Sequence, residues 1–319
     1  MYGDSEVTYS MDVHGLRHFL VVIEHGSIGR AAQYLNISQP ALSKSIRRLE
    51  ASLDAKLVDR GPYGVSPTVF GETLADRARL ILHEVRGAEQ DIAALRDLRT
   101  GHVVVGAGPS IVTDLLPTAI TALQVKRRGV RVTIREALMD MQLDALSRGE
   151  IDITVGAFPE SLSIEVMREP LFVDPTVVIA RPQHPLNNRR RRGLDELSAW
   201  PWVLPAAPER VRDALAAAFV AAGLEPPQPD VETNSAHCMK SVVIETDFLS
   251  FMPSRLIRHE VAAGVLTSIP IRDHAWQRSI EIVYRAQTIL SPAARALVHE
   301  LHDAVRADAA TAGALLPQS

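Results

Sequence analysis

The 319-residue sequence predicts an α/β protein built in three successive parts: a helical head with a helix-turn-helix, a long linker helix, and a C-terminal α/β domain. Three observations predict it. Between Leu16 and Leu53, apolar residues fall at helical spacing in three short runs separated by Gly26 and Asn36-Ile37. Between Leu74 and Leu95 an apolar seam steps by four and three residues. From Gly101 onward, short β-branched runs alternate with helical stretches, the pattern of a parallel sheet covered by helices. At roughly 100–200 residues per domain, the length accommodates these parts.

In the head, Leu16, Phe19, Leu20 and Ile23 share one face of a first helix that Gly26 ends. Ser27 is placed to cap a second helix, with Ala31, Ala32 and Leu35 facing inward. Ser38 is a good N-cap for a third. Pro40 fits there because the first-turn N–H groups have no intrahelical partner. On the third helix, residues 38–52, Leu42, Ile46, Leu49 and Leu53 lie in a narrow arc, with Pro40, Ser43, Lys44, Arg47 and Arg48 opposite. Two helices joined by a tight turn, the second with a thin, basic, hydrogen-bonding outer face, read as a helix-turn-helix suited to a major groove. The competing reading of that face is a solvated basic surface. Residues 60–68 are rich in turn formers and read as a wing beside the helix.

The linker seam comprises Leu74, Ala78, Ile81, Val85, Ala88, Ile92 and Leu95, with mostly charged residues between. A lone amphipathic helix of three heptads is marginal in water, so a partner helix is expected; packing on its own domain is the alternative. Beyond it, the apolar runs 102–105, 130–135 and 151–155 read as strands, and 115–124 and 141–148 as helices. Later elements are expected at 176–180, 209–222, 236–245, 249–252, 254–263 and 280–285, with a last helix over 292–306. Residues 201–208 and 226–229 are Pro-rich loops, and 1–10 and 311–319 read as a loose extension and tail.

Composition narrows the function. At net charge −4 the chain is no polycation, so any nucleic-acid affinity comes from a local patch. One cysteine, Cys238, excludes an internal disulfide and reads as core. No apolar run approaches the roughly 20 residues a membrane span needs, and residues 1–10 lack a signal-peptide pattern, so a cytoplasmic location is expected. Gly106-Ala107-Gly108 invites a dinucleotide reading, but Ile111 stands where the third glycine of that fingerprint belongs. Neither a nucleophile elbow nor a zinc-protease motif occurs, and the eleven histidines show no metal spacing; neither enzyme activity, metal nor cofactor is expected. His237 and Cys238, adjacent on a helix, do not face each other as a nucleophile pair. Arg189–Arg192 reads as a solvated loop.

Residues 16–19 (Leu-Arg-His-Phe), Gly26-Ser27-Ile28, Arg30-Ala31-Ala32, Leu35, Ser38-Gln39-Pro40-Ala41-Leu42-Ser43, Ile46, Leu49-Glu50 and Leu57 resemble the LysR-type transcriptional regulators. Leu115-Leu116-Pro117, Gly149-Glu150-Ile151-Asp152 and Met252-Pro253 extend the likeness along the chain. The resemblance implies a winged helix-turn-helix over residues 11–68, a dimerising linker helix over 69–100, and a sensor domain over 101–310. That sensor would be two-lobed and periplasmic-binding-protein-like: lobe I from residues 101–165 and 270–310, lobe II from 166–269, with a small effector between them. It further implies binding to double-stranded promoter DNA, self-association as a dimer or tetramer, and an effect on RNA polymerase access.

For DNA, Gln39 has the geometry to pair with adenine, Pro40 or Ala41 to touch a thymine methyl, and Ser43 and Lys44 to reach base edges or phosphate. Arg47 and Arg48 lie further along and suit backbone contacts. For the effector, loops beyond the carboxyl ends of strands point to Ser110, Ile111, Glu136, Phe158, Ala206 and Ser235. By the resemblance, Asp247 stands where a subset of the family with aromatic-acid or sugar-like effectors carries an Asp. The rival expectations are a ligand-independent repressor with an occluded cleft, and an enzyme or transport protein with an accessory head.

Overall fold

The computed structural model describes residues 11–62, 64–96, 100–188, 191–207, 209–272 and 274–314, so the expected extension at residues 1–10 lies outside it. The chain divides into two compact units, one of the residues up to Gly101 with Asp144–Ile151, the other of His102–Leu143 and the residues from Asp152 on. Among the described residues, no helix is long and apolar enough to cross a membrane.

In the first unit, three helices follow one another: α1 (Val13–His25), α2 (Ile28–Leu35) and α3 (Gln39–Leu53). Each begins at a side-chain cap: Asp12 accepts from Gly15 N, Ser27 from Arg30 N, and Ser38 from Ala41 N. Each ends in the left-handed region, at Gly26 (φ 59°), Asn36 (φ 54°) and Asp54 (φ 46°). Caps at both ends satisfy terminal N–H and C=O groups that a short helix otherwise leaves to water. Leu16, Phe19, Val22, Ala31, Leu42 and Ile46 close into one core. Each large apolar side chain among them contributes about 1.5–3 kcal/mol by leaving water. A hairpin of β1 (Val58–Gly61) and β2 (Gly64–Pro67) follows, then α4 (Val69–Arg96).

The remainder holds β3 (Thr100–Ala107), α5 (Leu116–Lys126), β4 (Gly129–Glu136), α6 (Met139–Ser147), β5 (Ile153–Gly156) and β6 (Val166–Ala180). It continues with β7 (Val203–Leu204), α7 (Arg210–Ala221), β8 (Val231–Glu232), α8 (Ala236–Glu245), β9 (Ser250–Pro253) and α9 (Arg258–Ala262). The last elements are β10 (Thr267–Ile269), β11 (Trp276–Arg285) and α10 (Pro292–Ala314). One sheet runs β10-β6-β11-β5-β3-β4, with β9 also on β6. β3 and β5 are parallel, while β11 is antiparallel to both β5 and β6.

Two cores flank the long antiparallel pair β6–β11. One gathers Val103, Val105, Leu116, Leu123, Ile153 and Leu297; the other gathers Leu197, Trp202, Leu215, Phe219, Leu249 and Phe251. β6 begins at the expected lobe boundary, residue 166, and serves both cores along its length: Leu171 and Phe172 pack on the first, while Val178 and Ala180 belong to the second.

Several element expectations shift. The strand expected at 176–180 begins ten residues earlier at Val166, and the one at 280–285 begins at Trp276. Pro170, inside β6, sits where the β6–β11 register slips, a place proline tolerates. The helix expected over 254–263 opens as a 3-10 turn, Ser254–Ile257, before α9. The last helix runs to Ala314 rather than ending near Arg306. Cys238, expected in the core, is exposed on α8.

Candidate nucleic-acid interface and ligand cavity

The outer face of α3 is built by its inner one. Leu42 and Ile46 are fully buried and Leu49 nearly so, which fixes the helix on α1 and fixes its rotation. Gln39, Pro40, Ala41, Lys44, Arg47 and Arg48 are therefore exposed, and Ser43 is half-buried. His18 of α1 hydrogen-bonds Ser45 at 2.8 Å and locks the same rotation from the flank. Burial, ahead of the neighbouring His14 charge, lowers the His18 pKa. The first turn of α3 carries no acid, so its helix-dipole end is left open to phosphate.

The two arginines differ. Arg47 Nε donates to Ser43 O at 3.3 Å, within its own helix. Arg48 pairs with Asp12, the N-cap of α1, at 2.5 Å while remaining largely exposed. Glu50, inside the motif that carries the resemblance, accepts from Leu57 N at 2.9 Å and Val58 N at 3.3 Å, so it anchors the start of the wing. The wing is held again at its second strand, where Val65 N donates to Gly26 O at 2.9 Å. A Cβ on Gly64 (φ 125°) would lie 2.4 Å from that same carbonyl, so only glycine fits there.

On α4 the predicted seam splits. Ala78 is fully buried in the head's own core and Leu74 packs against it, a correction to their expected role between chains. Ile81 and Ile92 are 37% and 57% exposed, Ala88 is exposed and Val85 half-buried, whereas the Leu95 side chain lies outside the described set. Phe70 and Val69 at the helix start are 64% and 77% exposed, and Phe70 lies one turn before Leu74, so the exposed apolar face begins earlier than the seam predicts.

In the second unit a cavity of about 330 Å³ opens between the two cores, beside β6 and β11. Ser110, Ile111 and Phe158 line it as expected from their loops. Glu136, Ala206 and Ser235 do not; Ala137, Pro205, Asn234 and Ala236 stand in their places. The reasons are local. Glu136 is the last, outward residue of β4. Ala206 turns its N–H to Asn234 Oδ1, and the Ser235 hydroxyl is used in capping α8 at Cys238 N. Sequence reasoning missed Thr176, Trp276 and Arg278, which reach the cavity from the crossover strands rather than from loops. The polar residues among them interrupt the apolar runs by which strands are recognised.

Other clusters are structural. Arg168 binds Glu281 at 2.6 Å and clasps the carbonyls of Pro159 and Glu160, holding the turn that follows Phe158. Arg192, expected in a solvated run, is buried and donates to Glu196 and Leu186 O; Arg191 is exposed, and Arg189 and Arg190 lie outside the described residues. His299, Glu300 and Asp303 on α10 form the one group with metal-ligand spacing among the described residues, and Lys126 Nζ already sits 2.9 Å from Glu300.

Residues 13–72 match the family model "Bacterial regulatory helix-turn-helix protein, lysR family", and residues 96–306 match "LysR substrate binding domain". The SDS degradation transcriptional activation protein of a Pseudomonas species is 35% identical over 299 residues, covering 90% of this chain and 94% of its own length. The HTH-type transcriptional regulator GalR of Pseudomonas putida is 30% identical, covering 93% and 75%. Among solved structures, full-length OxyR of Pseudomonas aeruginosa superposes with a TM-score of 0.70 at 25% identity, covering 93% of this chain and 95% of that one. CbnR bound to its target DNA shares the fold at a TM-score of 0.67 and 20% identity, covering 92% and 100%.

Proposed function

The chain belongs to the LysR family of bacterial helix-turn-helix transcriptional regulators, and from that membership we propose that a small-molecule effector in the cavity controls how it binds or bends promoter DNA. The carrying observation is the outer face of α3: Gln39, Pro40, Ala41 and Lys44 stand exposed at a capped N-terminus whose opposite face is buried. In this reading those residues and Ser43 enter the major groove, and Arg47 and Arg48 hold the backbone. Because one head has few free cations, two heads read paired half-sites, joined through the exposed and half-buried apolar part of α4 at Phe70, Ile81, Val85, Ala88 and Ile92. Pairs of dimers then form a homotetramer in the cytoplasm.

The effector, in the aromatic-acid or sugar-like range, binds one arrangement of the lobes better than the other; without such a difference it shifts nothing. Its arrival changes dimer pairing, DNA bending and RNA polymerase access. An open cavity of about 330 Å³ supports this over a repressor with an occluded cleft. Nuclease footprints on the operator, taken with and without candidate effectors, test it: a changed footprint is expected. Identical footprints with an effector known by calorimetry to be bound would overturn the regulatory reading.

A further inference from the structure

The crossover strands carry a two-by-two patch beside the cavity, and three of its residues, Thr176, Trp276 and Arg278, line the space. Asp174 and Thr176 sit two residues apart on β6, and their direct partners on β11 are Arg278 and Trp276. Asp174 is fully buried and accepts from Arg278 Nε at 3.1 Å and Nη2 at 2.6 Å, with Ser254 Oγ on its other oxygen at 3.2 Å. Arg278 Nη2 also donates to Ser110 Oγ at 2.6 Å. Its Nη1 makes no hydrogen bond to a described residue, although Arg278 lines the cavity. Thr176 lines it too, only 7% exposed, and its hydroxyl has no partner among the described residues. Two donors are thus held at one end of the cavity by a rigid strand pair, with nothing to receive them.

Much of the rest of the wall is apolar. Phe158, Phe251, Trp276, Met239 and Met252 face the space. Of the polar neighbours, Gln142 is held by Ala137 O and Thr154, Glu209 spends its carboxylate capping α7 and Asn234 Oδ1 accepts from Ala206 N, while Asp140, Arg210 and Gln277 are exposed to solvent. A polyhydroxylated ligand would lose its water hydrogen bonds against this surface and regain few. An arginine edge, by contrast, binds a carboxylate or sulfate with charge-assisted bonds roughly twice as strong as neutral ones.

Resting on the reading of this cavity as the effector site, we propose that its ligand is a small amphipathic acid. The anionic head is bound by Arg278 Nη1 and the Thr176 hydroxyl, and an apolar body lies on Phe158, Phe251, Trp276 and the two methionines. The sugar-like half of the effector range is thereby set aside.

Calorimetric titration of the full chain with hexanoate and phenylacetate, their alcohols hexanol and 2-phenylethanol, and the polar acid gluconate tests this. The acids are expected to bind at least tenfold more tightly than the alcohols, with gluconate weaker still. Arg278→Lys keeps a cation beside Asp174 but loses the fork, and Thr176→Val keeps the shape but loses the hydroxyl. Each should weaken the acids about tenfold and leave the alcohols unchanged. Gluconate or an alcohol binding as tightly as its acid, unchanged acid affinity in both variants, or no acid binding at millimolar concentration would each overturn the proposal. Acid binding without a changed operator footprint would leave it standing and sink the regulatory reading instead.

Discussion

Arg48 and Lys44 lie one helical turn apart on α3, yet only Arg48 is already engaged in an ion pair within the protein. Lys44 is exposed and forms no ion pair among the described residues, whereas Arg48 is held by Asp12. Lys44→Ala is expected to weaken operator binding by roughly 1–3 kcal/mol, read by gel-shift titration at fixed salt. Asp12→Ala should act oppositely on DNA and stability. Losing the N-cap costs about 0.5–2 kcal/mol in urea unfolding, while freeing Arg48 raises non-specific DNA affinity and steepens its salt dependence by about one unit. The Gly15 N–H, opposed by burial and aided by the Arg48 charge, holds the Asp12 carboxyl below its usual range. Its stabilising contribution is therefore present above pH 3.8 and lost as pH falls through the lowered value.

His184 gives a second pH signature. It is 2% exposed and its ring packs at a tilt against Trp200; Nδ1 accepts from Leu186 N and Nε2 donates to Asp247 O, which requires the neutral form. Burial lowers its pKa below 6.5. Between that lowered value and 6.5 the unfolded chain holds the extra proton, so stability falls as the solution is acidified below pH 6.5. A thermal-unfolding series across that range should show a shallower slope in His184→Gln.

At the scale of elements, the wing and α4 carry the predictions. Gly64→Ala forces a Cβ onto Gly26 O, so the hairpin should detach, seen as faster amide exchange at Val65 with α1–α3 intact. Ile81→Asp with Val85→Asp should give monomers by light scattering. Leu74→Asp should instead unfold the head, because Leu74 packs on its own core. α3 was legible in the sequence because cap, first-turn proline and apolar stripe all agreed on one helix. The length of β6 was not, because its pairing with β11 is set by residues a hundred positions away. Cavity residues were legible to within one position: a loop brings its backbone to the site, but the choice between Glu136 and Ala137, or Ala206 and Pro205, depends on which way each side chain turns. Arg278 and Thr176 left no local trace, since their meeting is a product of strand register.

For the whole molecule, a net charge of −4 means that DNA is held by a local patch against an unfavourable background field. Affinity should then fall steeply with salt, and paired heads should read half-sites about 34 Å apart. The most direct measurement is methylation interference at guanine N7, an atom that lies in the major groove, for the wild-type chain and Lys44→Ala on the same operator. Two clusters of interfering guanines one helical turn or a multiple apart, with signals lost at matching positions of both half-sites in the variant, are the predicted result. Interference absent from the major groove, or a pattern indifferent to Lys44, would contradict the placement of α3 in DNA.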